Sequence, residues 1–160
     1  MTAQALVDVT LRPATPEDRA FLKSVYAASR AAELDQVAWP PGARETFLEV
    51  QFNAQDAEYH RLNPDASFDV IEVACERAGR LYVDRGPDAL RVIDISLLPA
   101  HRGRGLGRAL LVGLQEEAAA AGRVVSLEVD LFNPAARLYE RLGFVPVEDY
   151  GVYRRLEWRP

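Results

Sequence analysis

The sequence is poor in cysteine and histidine, the side chains that build disulfides and soft metal sites. It contains one cysteine, Cys75, and two histidines, His60 and His101, in 160 residues. An intramolecular disulfide is therefore excluded, and a zinc site built from soft ligands is not expected. We interpret Cys75, which lies within an apolar segment, as a small core residue.

Long apolar runs are also missing. No stretch approaches the roughly 20 residues that a helix needs to span a bilayer. The first ten residues lack a basic region followed by an apolar stretch, so we expect no secretory signal. These features predict a cytoplasmic protein that has no membrane partner.

Positive charge is in the minority. The chain has 19 lysines and arginines against 24 aspartates and glutamates, a formal net charge of -5. A general nucleic-acid-binding protein is disfavoured, because phosphate backbones reward a basic surface. Hydrophobic residues make up 49% and charged residues 27% of the chain, which is typical of one globular domain, here residues 1–160.

Apolar periodicity and turn residues predict a chain in which strands and helices mix. We expect helices over residues 16–34, 43–62, 105–121 and 133–142. Strands are expected over residues 6–12, 68–75, 81–85, 90–98, 124–131, near 145, and 152–158, with a hairpin turn at residues 77–79. The second half has βαβ connectivity, so the pattern indicates an α/β or α+β sheet domain.

A glycine-rich loop joins the fourth strand to the third helix. Gly103, Gly105 and Gly107 let backbone N–H groups approach a ligand without obstruction by side chains. The loop opens a helix, where unpaired donors and the helix dipole favour negative charge. Three arginines surround these glycines, namely Arg102, Arg104 and Arg108. The arrangement favours a ligand that carries phosphate.

Two familiar phosphate sites fit the loop poorly. A P-loop of a nucleoside-triphosphate enzyme needs a lysine that the loop lacks. The dinucleotide fingerprint G-x-G-x-x-G fails at its third glycine, where Arg108 stands. Because Glu128 and Asp130 follow at roughly the distance of a ribose partner, a nicotinamide- or flavin-dependent oxidoreductase stays open as an alternative.

Two segments together resemble the GNAT superfamily of N-acetyltransferases. The first is the loop Arg102-Gly103-Arg104-Gly105-Leu106-Gly107, which is similar to the acyl-CoA motif R/Q-x-x-G-x-G/A. The second runs Asn133-Pro134-Ala135-Ala136-Arg137-Leu138-Tyr139-Glu140-Arg141-Leu142-Gly143-Phe144 and resembles a later signature of that family. The resemblance implies a GNAT fold with a mixed central sheet of about six to seven strands flanked by about four helices.

The resemblance also implies a reaction and its residues. An acetyl group would move from acetyl-CoA to a primary amine by direct attack in a ternary complex. The amides of residues 102–107 would hold the pyrophosphate, with Arg108 beside them, and the backbone near Ile95 and Leu97 would hold the pantetheine arm. The Leu97 N–H would polarise the thioester carbonyl, Asn133 would contact the cofactor arm, and Tyr139 would act as the general acid to the thiolate.

A general base and the acceptor are less defined. Asp94 and Glu72, on neighbouring predicted strands, are the candidate bases. Gln51, Gln55 and Tyr59 share one helix face and are either solvated side chains or the lining of an acceptor groove. The partner is expected to be a small-molecule or peptide amine, and a homodimer is common in such families. A non-catalytic acyl-CoA sensor stays open as a second alternative.

Overall fold

The computed structural model describes residues 8–160 as one seven-stranded sheet with four α-helices. The strands are β1 (Val9–Pro13), β2 (Ser67–Val73), β3 (Glu76–Arg85), β4 (Ala89–Leu97), β5 (Val124–Asp130), β6 (Val145–Tyr150) and β7 (Tyr153–Trp158). The helices are α1 (Arg19–Leu34), α2 (Ala43–Leu62), α3 (Leu106–Ala121) and α4 (Ala136–Arg141). Within the described residues, no helix combines the length and the apolar character that a bilayer crossing needs.

The strands follow the order β1-β2-β3-β4-β5-β7-β6 across the sheet. Neighbouring strands are antiparallel except β4 and β5, which pair in parallel and are joined through α3. A parallel pair needs such a crossover because both strands must start at the same edge of the sheet. The mixed α/β sheet predicted from the sequence is therefore confirmed.

Local signals define where the helices begin and end. A turn of 3₁₀ helix at Pro16–Asp18 precedes α1, and the Asp18 carboxylate accepts the Thr15 N–H at 2.8 Å. Helix α3 ends at Gly122, whose φ of 65° is the left-handed conformation that closes many helices. The helix boundaries predicted for α1, α2 and α3 agree with the structure to within a few residues.

The helices cover the two faces of the sheet and form two apolar cores. Helices α1 and α2 pack on one face with Val70 of β2, where the buried residues include Phe21, Val25, Tyr26 and Phe52. Helices α3 and α4 pack on the opposite face, where the buried residues include Leu81, Leu90, Val92, Leu111, Leu114, Val125 and Leu127. A ligand can therefore approach the sheet from either face only where the helices leave an opening.

The hairpin between β2 and β3 differs from its prediction. The turn lies at Ala74 and Cys75, with φ values of 50° and 67°, so Cys75 is an exposed turn residue and its assignment to the core was wrong. Gly79, expected in the turn, lies inside β3, where a Cβ would stand 2.1 Å from the Ser96 carbonyl oxygen. That glycine is explained by the close approach of β4 rather than by a turn. Residues 6 and 7 of the predicted first strand lie outside the described part of the chain.

Candidate active site

The site begins where β4 and β5 separate. Their parallel pairing extends from Ala89↔Val124 to Val92↔Leu127. Beyond that point β4 contains a bulge, because Val92 faces Val83 while Asp94 faces Tyr82 of the same neighbouring strand. A bulge bends its strand, and the second half of β4 therefore lies apart from β5 and leaves a cleft in the sheet.

A cavity of about 520 Å³ opens on the side of α3 and α4. Its lining contains most of the residues that the sequence assigned to a cofactor, namely Ile95, Leu97, Arg102, Gly103, Gly105, Leu106, Gly107 and Arg108, together with Ala135, Leu138, Tyr139 and Arg141. Two predicted cofactor residues are placed elsewhere, since neither Arg104 nor Asn133 belongs to this lining. The Asn133 Oδ1 accepts the Ala135 N–H at 2.7 Å and so shapes the turn before α4.

The glycine-rich loop has the geometry of an anion site. Gly103 and Gly105 adopt φ values of 72° and 79°, a region that side-chain-bearing residues rarely occupy. The loop leads into α3, whose first amides have no intrahelical acceptor and carry the positive end of the dipole. The Arg102 Nε donates to the Leu97 carbonyl at 2.9 Å, which ties the loop to the end of β4.

The amide of Leu97 faces the cleft. Its neighbour, the Leu98 N–H, donates to the Ala78 carbonyl of β3 at 2.9 Å. Successive N–H groups of a strand point to opposite sides, so the Leu97 N–H is directed away from β3 and toward the gap beside β5. It is a backbone donor at the end of β4, beyond the last pair of β4 with β5 at Val92 and Leu127.

A second, polar cavity of about 240 Å³ lies between the separated strands. The polar side chains in its lining are Tyr59, Asp94, Ser96, Glu128, Asn133 and Tyr139. Ile95 and Tyr139 line both this cavity and the glycine-loop cavity. The two cavities therefore adjoin at these residues.

Asp94 is held by three neighbouring side chains. Its Oδ2 accepts from Arg80 Nη2 at 2.8 Å and from the Tyr59 hydroxyl at 3.1 Å. Its Oδ1 accepts from the Ser96 hydroxyl at 2.6 Å. Arg80 is 2% exposed and donates to the Gln55 side chain as well, at 2.9 Å. Gln55 and Tyr59 of α2 thus face the sheet and its ion pair instead of standing solvated beside the core.

Tyr139 projects from α4 into the junction of the two cavities. The side chain is buried and packs edge-on against Phe144, with ring centroids 5.9 Å apart. Burial raises the pKa of the Tyr139 hydroxyl, and the negative charge of Asp94 raises it further. The hydroxyl therefore keeps its proton over the neutral range and is available as a donor.

Glu72, the other predicted base, lies away from this cleft. It pairs with Arg12 at 3.3 Å and lines a separate cavity with Asp18 and Arg77. The structure brings Asp94 and Tyr139 together and separates Glu72 from them, because β2 lies two strands away from β4 in the sheet.

Three charged residues of the site were not assigned to it by the sequence. Arg80 is one of many arginines, and its burial depends on α2 packing over it. Glu128 was considered only as a ribose partner, although its alternation with the buried Leu127 and Val129 places it on the open face of β5. Arg141 lies one turn after Arg137 on α4, and no spacing distinguishes the two.

Comparisons with known proteins agree with this geometry. Residues 64–146, about half of the chain, match the model of the family described as "Acetyltransferase (GNAT) domain". A mycothiol acetyltransferase of Sanguibacter keddieii is 32% identical over 145 residues, covering 89% of this chain and 42% of the relative. A protein of Bacillus subtilis described as a putative [ribosomal protein bS18]-alanine N-acetyltransferase is 37% identical over 98 residues, 58% of this chain and 64% of its own length. The chain thus spans less than two thirds of the length of either relative.

A solved structure shares the whole fold. The PaiA N-acetyltransferase of Thermoplasma acidophilum, in complex with coenzyme A, superposes with a TM-score of 0.71 over 95% of this chain and 99% of the other, at 16% identity. That identity supports the fold alone, whereas the family match rests on the sequence. With the family identified, a dinucleotide-dependent oxidoreductase no longer explains the loop. The chain belongs to the GNAT superfamily of acetyltransferases.

Proposed function

We propose that the chain transfers an acetyl group from acetyl-CoA to a primary amine, by direct attack when both are bound. The observation that carries this proposal is the meeting of two unlike cavities at Ile95 and Tyr139. One has a glycine loop at a helix N-terminus and suits a phosphate-bearing donor. The other is small, polar and contains two carboxylates, which suits an amine.

The residues present fit CoA. Gly103 and Gly105 adopt positive φ, and an added Cβ at Gly103 or Gly107 would meet no atom within 4 Å. Space next to unpaired amides is what a pyrophosphate needs. Arg102 and Arg108 line the same cavity and supply positive charge. We assign the pyrophosphate to residues 102–108 and the pantetheine arm to the backbone near Ile95 and Leu97.

The junction of the two cavities has a hydrogen-bond donor for each atom that becomes negative in the reaction, the carbonyl oxygen and the sulfur. Bound acetyl-CoA supplies a thioester carbonyl that an amine can attack and a thiolate that leaves. We propose that the Leu97 N–H donates a hydrogen bond to the carbonyl oxygen, as an oxyanion donor does. We propose that Tyr139 donates its proton to the leaving sulfur. The phenol is suited to this for two reasons. It is protonated at neutral pH and can donate, and the thiolate that leaves can accept the proton because a thiol is mostly protonated at pH 7.

Glu128 is the better candidate to take the proton from the amine. Both oxygens of Asp94 already accept hydrogen bonds from neighbouring side chains. Glu128 lines the same cavity from β5 and is exposed, so that its oxygens are open to the acceptor or to a water next to it. We therefore propose Glu128 as the proton acceptor and Asp94 as a group that shapes the acceptor cavity. Glu72 is too far along the sheet to take part.

The acceptor is proposed only as a class. The names of the two relatives point to different acceptors, mycothiol for one and an alanine of a ribosomal protein for the other. The polar cavity of about 240 Å³ has room for an amino group and the first atoms next to it. We propose a primary amine of a small molecule or a peptide, which binds from the open face of β5.

Binding and turnover test the proposal separately. Calorimetric titration should show binding of CoA and acetyl-CoA and no binding of NAD. Release of free thiol from acetyl-CoA should then depend on a primary amine, in a panel of small amines, amino acids and short peptides. Binding of CoA without amine-dependent thiol release across that panel would favour a sensor over an enzyme, whereas failure to bind CoA would overturn the proposal as a whole.

A further inference from the structure

The side chain of Tyr59 reaches the polar cavity from α2. It lines the cavity together with Asp94 and Tyr139. Its ring is fixed by packing, because it meets the ring of Tyr82 edge-on with centroids 6.0 Å apart. A half-buried hydroxyl with a fixed ring presents one definite set of hydrogen-bonding positions to whatever occupies the cavity.

The hydroxyl proton of Tyr59 is already used in a hydrogen bond to Asp94. The Tyr59 oxygen lies 3.1 Å from Asp94 Oδ2, and a carboxylate can only accept. Tyr59 must therefore donate in this contact. Burial raises the pKa of Tyr59 well above its usual range, and the charge of Asp94 adds to the shift. Toward a ligand, the Tyr59 oxygen can therefore act only as an acceptor of hydrogen bonds.

Arg80 fixes the carboxylate that makes this orientation possible. Its guanidinium lies 2.8 Å from Asp94 Oδ2 and 5.1 Å above the ring of Tyr82, the same ring that supports Tyr59. The positive charge of Arg80 is buried and balances Asp94. Since Arg80 does not line the polar cavity, it acts on a ligand only through Asp94 and Tyr59.

We propose that Tyr59 is a specificity-determining residue of the acceptor site, whose oxygen accepts a hydrogen bond from an N–H of the incoming amine. Arg80 is the positioning residue that holds Asp94, and through it Tyr59, in this orientation. The inference rests on the proposed function, since it names a contact of the same acceptor. It selects ligands that donate hydrogen bonds, such as protonated primary amines, over quaternary ammonium ions of similar size, which have no N–H.

The test uses n-butylamine as the probe and the full chain saturated with CoA. Binding is followed by NMR of protein labelled with ¹³C in its tyrosine rings, so that no turnover is required. We expect n-butylamine to shift the Tyr59 resonance, and Tyr59→Phe to weaken n-butylamine about tenfold, as the loss of a hydrogen bond to a charged group does. The affinity for CoA should stay within about twofold, because no hydroxyl of α2 lines the CoA cavity.

Tyr26→Phe is the matched control. Tyr26 is a buried tyrosine of α1 whose hydroxyl is held by Arg30 at 2.8 Å, away from the cleft. It should leave the binding of n-butylamine unchanged. Arg80→Met should weaken n-butylamine as Tyr59→Phe does, and Arg80→Lys should recover part of the loss because it keeps a cation beside Asp94. If Arg80→Met does not fold, the affinity of Arg80→Lys for n-butylamine is compared with that of Tyr59→Phe. An affinity between those of Tyr59→Phe and the wild type supports the positioning role of Arg80, and wild-type affinity contradicts it.

The outcomes separate this inference from the proposed function. A wild-type chain that does not bind CoA overturns both. A chain that binds CoA but in which n-butylamine leaves the Tyr59 resonance unmoved, or binds equally well to Tyr59→Phe, overturns only the role of Tyr59. Equal binding of n-butyltrimethylammonium, which has no N–H, and n-butylamine would also count against a hydrogen bond as the basis of selection.

Discussion

The Arg80 guanidinium and the Asp94 carboxylate form an ion pair of 2.8 Å between β3 and β4, with side chains 2% and 12% exposed. A pair removed from water costs desolvation of both charges and is stable only when both partners remain. This one pair links the packing of α2 on the sheet to the wall of the polar cavity. Its integrity therefore affects stability and the site together.

Removing the charge of Asp94 should destabilise the fold. We expect Asp94→Asn to lower the free energy of unfolding by about 3 kcal/mol, because Arg80 is left as a buried cation without a counter-charge. Urea unfolding at neutral pH measures this loss. Glu58→Gln, which breaks the exposed pair of Arg61 and Glu58 at 2.8 Å, is the control and should cost less than about 1 kcal/mol.

The double variant Arg80→Met/Asp94→Leu extends that test. It removes both charges together. The decrease in its free energy of unfolding should therefore be smaller than the sum of the decreases in the single variants Arg80→Met and Asp94→Leu. A loss from Asp94→Asn no larger than that from Glu58→Gln would mean that the pair is not effectively buried.

Gly79 should not tolerate a side chain. Its substitution by alanine would place a Cβ 2.1 Å from the Ser96 carbonyl oxygen and 3.0 Å from the Leu97 Cα, so β3 and β4 would have to move apart. We expect Gly79→Ala to lower the free energy of unfolding by at least about 2 kcal/mol, in the range of an overpacked core. Thermal and urea unfolding measure this.

Gly113→Ala provides the comparison for Gly79. An added Cβ at this position in α3 would meet no atom within 4 Å, and alanine favours helix over glycine by about 0.5–1 kcal/mol. Gly113→Ala should therefore be neutral or stabilising. Equal effects of the two substitutions would show that β3 and β4 are not in close contact at Gly79.

Gly105→Val should impair the donor site. Valine is strained at the φ of 79° that Gly105 adopts, because a β-branched residue avoids the left-handed region. The loop must then change its conformation and turn its amides away from the ligand. We expect the Kd for CoA to rise at least about tenfold, or 1.4 kcal/mol, in calorimetric titration. Gly113→Ala, later in the same helix, should bind CoA normally, and unchanged affinity in Gly105→Val would contradict the loop assignment.

Tyr139→Phe should affect catalysis more than binding. The loss of a general acid costs about 10²-fold or more, so kcat should fall at least tenfold while the Kd for CoA stays within about twofold. Tyr153→Phe, at an exposed tyrosine of β7, serves as the control and should keep full activity. A kcat for Tyr139→Phe within about twofold of wild type would exclude this tyrosine as the acid.

The pH profile gives the same residue a second test. A general acid works only while protonated, so activity is lost as the pH rises through its pKa. Burial and the charge of Asp94 raise the pKa of Tyr139 above the ordinary tyrosine value of about 10. The wild-type kcat should therefore show no basic decline below about pH 10. A decline centred between pH 7 and 9 would indicate that another group is the acid.

Local signals in the sequence predicted the glycine loop and the helix of the donor side. Gly105 and Gly122 bracket α3 because each stands where the backbone needs a positive φ, and such positions leave a mark in the sequence. The resemblance to the GNAT superfamily, carried by the loop and by the later signature at residues 133–144, then assigned roles to Leu97 and Tyr139. The structure places both residues in the lining of one cavity.

The acceptor side could not be predicted in the same way. Gln55, Tyr59 and Arg80 are polar residues whose burial depends on how α2 crosses β3, and a sequence pattern does not encode that crossing. Gly79 resembled a turn residue because a glycine required by a neighbouring strand cannot be distinguished from one required by φ. These positions depend on contacts between distant segments, so they became visible only in the folded chain.

A crystal structure of the chain with bound CoA tests most directly whether the thiol end of CoA reaches the junction between the glycine-loop cavity and the polar cavity. We predict that the pyrophosphate lies against the amides of residues 103–108. The thiol should lie between the Leu97 N–H and the Tyr139 hydroxyl, with its sulfur within about 4 Å of the hydroxyl oxygen. A sulfur atom directed away from Tyr139 and outside the junction with the polar cavity would contradict the proposed path of acetyl transfer.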